Sequence, residues 1–236
     1  MANGGSDVYI RFMADSTDWA AEAEARLLDA ALPLAPELGW TARLVRAAGK
    51  ATDLSLPEVE LLLPGGARDL AALFSYRRDE AALATLSAID PSELKIRDRI
   101  ARGVEAWIEA AAADEAATRC WLGYLALPQN LALGARLLWT SADVIWRWAG
   151  DTSADANHYS KRVILATLLS STLAVRMSNS PAAAQIHLER GIEAVMAFEK
   201  FKAKLGPRPF AAAAAEALGR LRYGARPSEP DGATPA

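Results

Sequence analysis

The chain has 236 residues, of which 52% are hydrophobic and 23% charged, a composition typical of a globular protein with one sizeable core. Its single cysteine, Cys120, excludes an intramolecular disulfide and favours a reducing compartment. The net charge of −3 conceals an asymmetry: residues 1–118 carry 12 Lys and Arg against 20 Asp and Glu, whereas residues 119–236 carry 14 against 9.

Apolar residues recur at spacings of three and four along most of the chain, whereas the alternation typical of strands is hard to find. We therefore predict an all-α fold of nine or ten helices, with Ser92 as the N-cap of its helix. The spacing and the Pro and Gly breaks place these helices over about 19–34, 41–48, 57–63, 67–78, 92–113, 116–127, 131–149, 153–177, 181–205 and 209–222.

The longest apolar stretch runs from Val163 to Val175, which is shorter than the roughly 20 residues that a membrane span needs. The first residues lack the basic and then apolar pattern of a secretory signal. These features predict a soluble or peripheral protein with a buried helix at Val163–Val175.

The clearest amphipathic helix covers residues 131–149, where Asp143 and Arg147 are spaced to form an ion pair on the polar face. Gly150 is expected to end this helix as its C′ residue, and Thr152 to cap the next one. The two helices would face each other through apolar side chains that suit either a long apolar ligand or an ordinary solid core. The candidate lipid-binding residues are Leu137, Val144, Trp148, Ile164, Leu168 and Leu169.

The segment Trp146–Arg162, which reads WRWAGDTSADANHYSKR, resembles the signature of the Coq-nine family of coenzyme Q accessory proteins. Weaker similarity is found at Gly39–Trp40, at Leu61–Gly66 and at Met196–Lys200. Two positions depart from the family pattern, because Ala154 replaces a Thr and Ala156 replaces a bulky aromatic residue.

The resemblance implies a TetR-like helical fold and a non-catalytic, lipid-binding accessory protein of ubiquinone biosynthesis. Such a protein would present a polyprenyl quinone intermediate to the demethoxyubiquinone hydroxylase. The expected setting is cytoplasmic and peripheral to the inner membrane, in contact with its anionic surface, and a homodimer is expected. The implied organisation is a flexible N-terminus at 1–18, a degenerate helix-turn-helix part at 19–90 and a helical lipid-binding part at 91–206, followed by an amphipathic helix at 207–226 and a disordered tail at 227–236.

The signature itself allows two interpretations. Gly150 and Thr152 alone would make a structural corner between two helices. The polar and aromatic residues crowded beside it exceed what a corner needs, and exposed aromatics next to Arg are typical of interfaces. The residues predicted to dock the hydroxylase are Ile145, Asp151, Asp155, Asn157, His158, Tyr159 and Arg162.

The TetR-like start also raises the alternative of a ligand-responsive transcriptional regulator. The candidate recognition helix, Pro57–Leu63, carries Glu58 and Glu60 and no Lys or Arg. Because phosphate contacts supply nearly all non-specific affinity for DNA, this acidic helix argues against a nucleic-acid partner.

The sequence gives little support for an enzymatic function. The two histidines, His158 and His187, are far apart, and neither has a second ligand at helical spacing, so we expect no metal site. There is no Gly-rich phosphate loop, and we expect no cofactor and no catalytic residue.

The C-terminal region is predicted to bind membranes. The apolar residues Phe210, Leu218 and Leu221 share a helix face, and Arg220 and Arg222 flank it. Such a helix supports reversible binding to anionic lipid, and the alternative is a helix that folds back on the domain or swaps onto a dimer mate.

Overall fold

The computed structural model describes the backbone of residues 19–151 and 156–205, and the side chains of residues 19–151 and 158–197. The predicted flexible N-terminus, Thr152, Asp155, the amphipathic helix at 207–226 and the tail at 227–236 lie outside these residues. The membrane-binding candidates Phe210, Leu218, Arg220, Leu221 and Arg222 therefore lie outside them as well.

The described residues are helical and contain no strand, which confirms the all-α prediction. A helix over residues 19–31, α1, precedes nine others, so the described part has ten α-helices. The more specific likeness to TetR regulators stays a prediction. The nine are α2 (Ala35–Leu38), α3 (Ala42–Ala51), α4 (Leu56–Leu62), α5 (Ala67–Leu86), α6 (Ile96–Ala112), α7 (Glu115–Leu125), α8 (Leu131–Trp148), α9 (Ala156–Ser178) and α10 (Pro181–Leu205).

Two helix boundaries differ from the prediction by four residues or more. The helix α5 continues to Leu86 rather than ending near Arg78, because Arg78 and Asp79 are buried inside the protein instead of facing solvent. The prediction of Ser92 as an N-cap is wrong: Pro91–Glu93 forms a short 3₁₀ turn, in which the Ser92 amide donates to Asp90 Oδ1 at 2.8 Å. The helix α6 begins only at Ile96.

The helix α4 has a capping box at its start. Glu58 Oε2 accepts hydrogen bonds from the Ser55 amide at 2.8 Å and from Ser55 Oγ at 2.6 Å. These hydrogen bonds lower the pKa of Glu58, so the carboxylate is held in its charged form at the helix N-terminus.

One hydrophobic core joins the two parts that the sequence predicted on either side of residue 90. Phe74 of α5 lies with its ring centre 5.3 Å from Trp40 and 6.1 Å from Trp121 of α7. Both tryptophans are satisfied inside this core, because Trp40 Nε1 donates to the Ala117 carbonyl and Trp121 Nε1 to the Ala71 carbonyl. The core reaches Leu133 and Leu137, and so it anchors α8 against the N-terminal helices.

The helix α6 lies close to α8. A Cβ atom built at Gly103 would lie 2.4 Å from Ile145 Cγ2, so only glycine lets the two helices approach to this distance. Within the described residues, no helix is both long enough and apolar enough to cross a bilayer. The chain divides into two compact units, residues 1–191 and 192–236, and the site described next lies entirely in the first.

Candidate functional site

The end of α8 is a glycine-dependent turn, as the sequence predicts. Gly150 has a φ of +87°, its amide donates to the Arg147 carbonyl, and the Asp151 amide donates to the Trp146 carbonyl. This is the pair of hydrogen bonds that ends many helices at a left-handed C′ glycine. Arg99 secures the turn, because its Nη1 donates to the Ala149 carbonyl at 2.7 Å while its Nε donates to the Leu94 carbonyl at 2.9 Å.

An ion-pair network links α8, this turn and α9. Arg162 Nε lies 2.6 Å from Asp143 Oδ1, and Arg162 Nη1 lies 3.1 Å from Asp151 Oδ2. The same Nη1 donates to the carbonyl of His158 at 3.1 Å. Asp143 also pairs with Arg147 at 2.6 Å, as predicted, and Asp151 pairs with Lys161 at 2.7 Å.

The network is buried where Arg162 and Asp151 meet. Their side chains are 2% and 6% exposed, against 21% for Asp143. Burial alone would raise the pKa of Asp143, but the hydrogen bonds from Arg162 and Arg147 outweigh it and hold that pKa below its usual value. The carboxylate is therefore charged at neutral pH.

Three aromatic side chains meet beside the network. Tyr159 is 63% exposed, and its ring centre lies 5.9 Å from that of Trp139 on α8 and 5.3 Å from that of His158. The rings of Trp139 and His158 are 6.3 Å apart. Val163, 55% exposed, lies one helical turn after Tyr159. We call Trp139, His158, Tyr159 and Val163 the aromatic patch.

Only part of the predicted docking set lies at the surface. His158 and Tyr159 are accessible, whereas Ile145 is 1% exposed and packs against Gly103, so the prediction that it is a docking contact is corrected. Arg162 and Asp151 are likewise corrected from surface contacts to buried members of the ion-pair network. Asp155 lies outside the described residues, and only the backbone of Asn157 is described.

The sequence reasoning missed Trp139. Its side chain is half-buried, and it falls outside the apolar stripe of α8 that the spacing of Leu133, Leu137 and Val144 defines. Its contact with two side chains of α9 depends on how the two helices pack, which the spacing within one helix does not give. The remaining signal is composition, because a large aromatic residue outside an apolar stripe is a candidate for an interface.

The six predicted lipid-binding residues lie on α8 and α9. Leu137 and Leu169 are fully buried and Leu168 is 8% exposed, while Val144, Trp148 and Ile164 are half-buried. Leu137 belongs to the hydrophobic core. One open groove of about 470 Å³ lies instead between α5 and α6, where Ala81, Thr85 and Ala106 line it, and none of the six residues contributes to it.

A second polar cluster lies inside the protein, and the sequence reasoning missed it. The guanidinium of Arg78 is enclosed by the rings of Phe74, Trp107 and Trp121, and its nitrogens have no hydrogen-bond partner among the described residues. Burial lowers the pKa of Arg78 to about 9, against the opposing effect of the Asp79 charge.

Asp79 is the acidic member of this cluster. Its Oδ1 accepts a hydrogen bond from Trp107 Nε1 at 2.8 Å. Burial raises the pKa of Asp79 in spite of this bond and the opposing effect of the Arg78 charge. Within the described part of the chain, no three His, Cys, Asp or Glu side chains are grouped to hold a metal ion.

The part of the chain that matches a known family includes α8, the turn after it and α9. Residues 131–199 match the COQ9 family model. Over these residues the chain is similar to the COQ9 family. This match contains the whole of Trp146–Arg162 and confirms the resemblance to the Coq-nine family.

Curated relatives extend the COQ9 similarity beyond those residues. Three of them carry the name ubiquinone biosynthesis protein COQ9, mitochondrial. The rat protein is 30% identical over 173 residues, which are 66% of this chain and 52% of the relative. The Xenopus tropicalis protein is 26% identical over 176 residues, 67% of this chain and 52% of the relative. The human protein is 28% identical over 173 residues, which are 66% of this chain and 51% of the relative. The chain therefore spans about half the length of these relatives.

Proposed function

We propose that this protein is a non-catalytic accessory protein of ubiquinone biosynthesis that binds a polyprenyl quinone intermediate and presents it to the demethoxyubiquinone hydroxylase. The similarity to the COQ9 family and the names of the relatives support the pathway. The observation that carries the docking step is the aromatic patch, since Tyr159 and Val163 expose large apolar surfaces beside the charged corner.

The aromatic patch suits a protein partner. Exposed aromatic anchors supply most of the binding energy in many interfaces, and a surrounding rim of charge adds orientation. Lys161 and Arg147 provide such a rim, because their side chains are 37% and 73% exposed. A partner with an apolar contact ringed by acidic side chains would complement this surface.

The docking step is tested by measuring the affinity of the purified hydroxylase for Tyr159→Ala. We expect at least a tenfold loss of affinity with a thermal midpoint within a few degrees of the parent. Charge reversal at Asp155 should act in the same direction. Tyr76→Ala is the matched control, because Tyr76 is also a partly exposed tyrosine on a helix, at 40%, but lies on α5. Equal losses in both variants, or unfolding of Tyr159→Ala, would contradict docking at this patch.

The lipid step is tested by mass spectrometry of the lipids that co-purify with the full chain. We expect a quinone or a quinone precursor with a polyprenyl tail. Replacing the half-buried Ile164 with Asn should reduce its recovery, because a polar amide would face the tail. A chain that co-purifies with no isoprenoid lipid from cells that make ubiquinone would contradict this step.

Membrane association is proposed to use the basic C-terminal region. Deleting residues 206–236 should reduce sedimentation with anionic liposomes, and high salt should weaken the binding of the intact chain. Equal sedimentation of both forms at low salt would refute a role for this region. Analytical ultracentrifugation tests the predicted homodimer.

The alternative function, transcriptional regulation, meets an electrostatic obstacle at α4. This helix contains no Lys or Arg, and the hydrogen bonds from Ser55 keep Glu58 charged. The side chains it presents to solvent include Leu56 and Leu61, which are 63% and 72% exposed. Salt-sensitive binding of the chain to random duplex DNA would favour this alternative.

A further inference from the structure

The buried ion-pair network at the corner is hydrogen-bonded to the backbone of the aromatic patch. We call Asp143, Asp151 and Arg162 the α8–α9 clamp. We propose that this clamp positions the aromatic patch for its partner, with Arg162 as the positioning residue. The inference rests on the proposed docking function and goes beyond it, because it assigns a role to side chains that lie mostly beneath the surface.

Burial separates the clamp from the contact surface. The Arg162 side chain is 2% exposed and that of Asp151 is 6% exposed, so neither offers atoms to a docking protein. The two side chains form an ion pair with each other, and each makes a second ion pair, Asp151 with Lys161 and Arg162 with Asp143. Among the described ion pairs, removing Arg162 would leave that of Asp143 with Arg147 and that of Asp151 with Lys161, so none would then join α8 to the turn and α9 through the interior.

The clamp acts on the patch through the backbone of α9. Arg162 Nη1 donates to the carbonyl of His158, which is the peptide group that joins His158 to Tyr159. The same guanidinium is fixed to α8 through Asp143 and to the turn after α8 through Asp151. Arg162 therefore ties the backbone between the half-buried His158 and the exposed Tyr159 to two points on the neighbouring helix and turn.

The opposite half of the patch is on α8, one helical turn from the clamp. Trp139 and Asp143 are four residues apart in α8, and His158 and Arg162 are four residues apart in α9. The ion pair and the ring contacts thus both join α8 to α9. A second contact holds α9 against α8, since Trp146 Nε1 donates a hydrogen bond to the Lys161 carbonyl at 3.1 Å.

A planar guanidinium is suited to this task. It donates in a fixed fork, so it can satisfy two carboxylates and a carbonyl in directions that a lysine ammonium cannot reproduce from the same place. We therefore expect Arg162→Lys to keep the charge but to loosen the rings, and Arg162→Gln to lose both.

The test separates ring positions from docking. The contact of Tyr159 with the Trp139 ring is read from the ring chemical shifts of ¹³C-labelled tyrosine in the full chain, with Trp139→Phe giving the shifts without the indole. In Arg162→Gln the Tyr159 signals should move toward those of Trp139→Phe, and the affinity for the purified hydroxylase should fall at least tenfold. Arg162→Lys should lie between the parent and Arg162→Gln in both measurements.

Arg147→Gln is the matched control. Arg147 also pairs with Asp143, but its side chain is 73% exposed, and the pairing to Asp151 and to the His158 carbonyl does not involve it. This variant should keep the Tyr159 shifts of the parent, and a fall in its affinity would report the loss of a rim charge and not a change in the ring positions.

The outcomes are distinct. Folded Arg162→Gln with parental Tyr159 shifts overturns the positioning role, whatever its affinity. If Arg162→Gln does not fold, Arg162→Lys and Asp151→Asn carry the same measurement, and parental shifts in both overturn the proposal. A parent chain that fails to bind the hydroxylase refutes the docking function, while the Tyr159 shifts still decide whether the clamp orders the rings.

Discussion

The guanidinium carbon of Arg78 lies 3.9 Å from the ring centre of Trp121, in the interior of the protein, and the Phe74 and Trp107 rings enclose it further. The adjacent residue, Asp79, is buried with it and accepts a hydrogen bond from Trp107. The interior of this helical protein thus contains a basic and an acidic side chain whose charges attract each other, although no hydrogen bond joins them.

We predict strong coupling between these two residues. Arg78→Met and Asp79→Asn should each lower the free energy of unfolding by about 1–3 kcal/mol, since each leaves the other group buried without its counter-charge. The free energy of unfolding of the double variant should fall by less than the sum of the two single decreases, with a difference of at least about 0.5 kcal/mol. Urea unfolding of all four proteins measures this, and strict additivity would contradict it.

Arg77→Met is the control for this cycle. Arg77 precedes Arg78 and pairs with Asp29 at 2.5 Å, but the two side chains are 32% and 68% exposed. The free energy of unfolding of Arg77→Met should fall by no more than about 1 kcal/mol, as is usual for ion pairs at the surface.

The pH dependence of stability should report the charge of Asp143. Its pKa is lowered in the folded protein, so its contribution is complete above the unfolded pKa of about 3.9 and is lost as the pH falls through the folded value. Asp143→Asn should therefore be less stable than the parent at pH 7, and the difference should shrink below about pH 4. Urea unfolding at pH 7, 5 and 3 tests this, and a constant difference would show that the charge is not responsible.

Because α6 packs closely on α8, we expect replacement by alanine to have different effects on stability at two glycines, Gly103 and Gly123. Gly103→Ala should destabilise the protein by about 1–3 kcal/mol, because the new methyl group would meet Ile145 at 2.4 Å. Gly123→Ala, in α7, meets nothing within 4 Å and should be neutral or stabilising by up to about 1 kcal/mol. Thermal unfolding compares the two, and equal effects would contradict the close approach of α6 and α8.

The sequence predicts most of the helices because their breaks carry local signals. Gly150 ends α8 with a positive φ, and α10 begins at Pro181, as expected from residues that act within a single turn. The end of α5 was misplaced because Arg78 and Asp79 have the polarity of a solvent-facing turn. Their burial depends on aromatic rings contributed by α6 and α7, about 30 and 40 residues further along the chain, which no local pattern encodes.

The same distinction applies to the site. The polar residues around Tyr159 identify the corner, but their division into surface and interior depends on contacts between helices. Arg162 is buried because Asp143 and Asp151 neutralise it from α8 and the turn, and Ile145 is buried because Gly103 leaves room for it on α6. Trp139 enters the patch from a neighbouring helix, so it could not be found from the signature alone.

The most direct measurement of the proposed function is the quinone content of cells that lack this gene. We predict that they accumulate demethoxyubiquinone and lose ubiquinone, and that the parent gene and Tyr76→Ala restore ubiquinone. Expressed at the same level, Tyr159→Ala should leave demethoxyubiquinone in place. Unchanged ubiquinone in the deletion strain, or full restoration by Tyr159→Ala, would contradict the account.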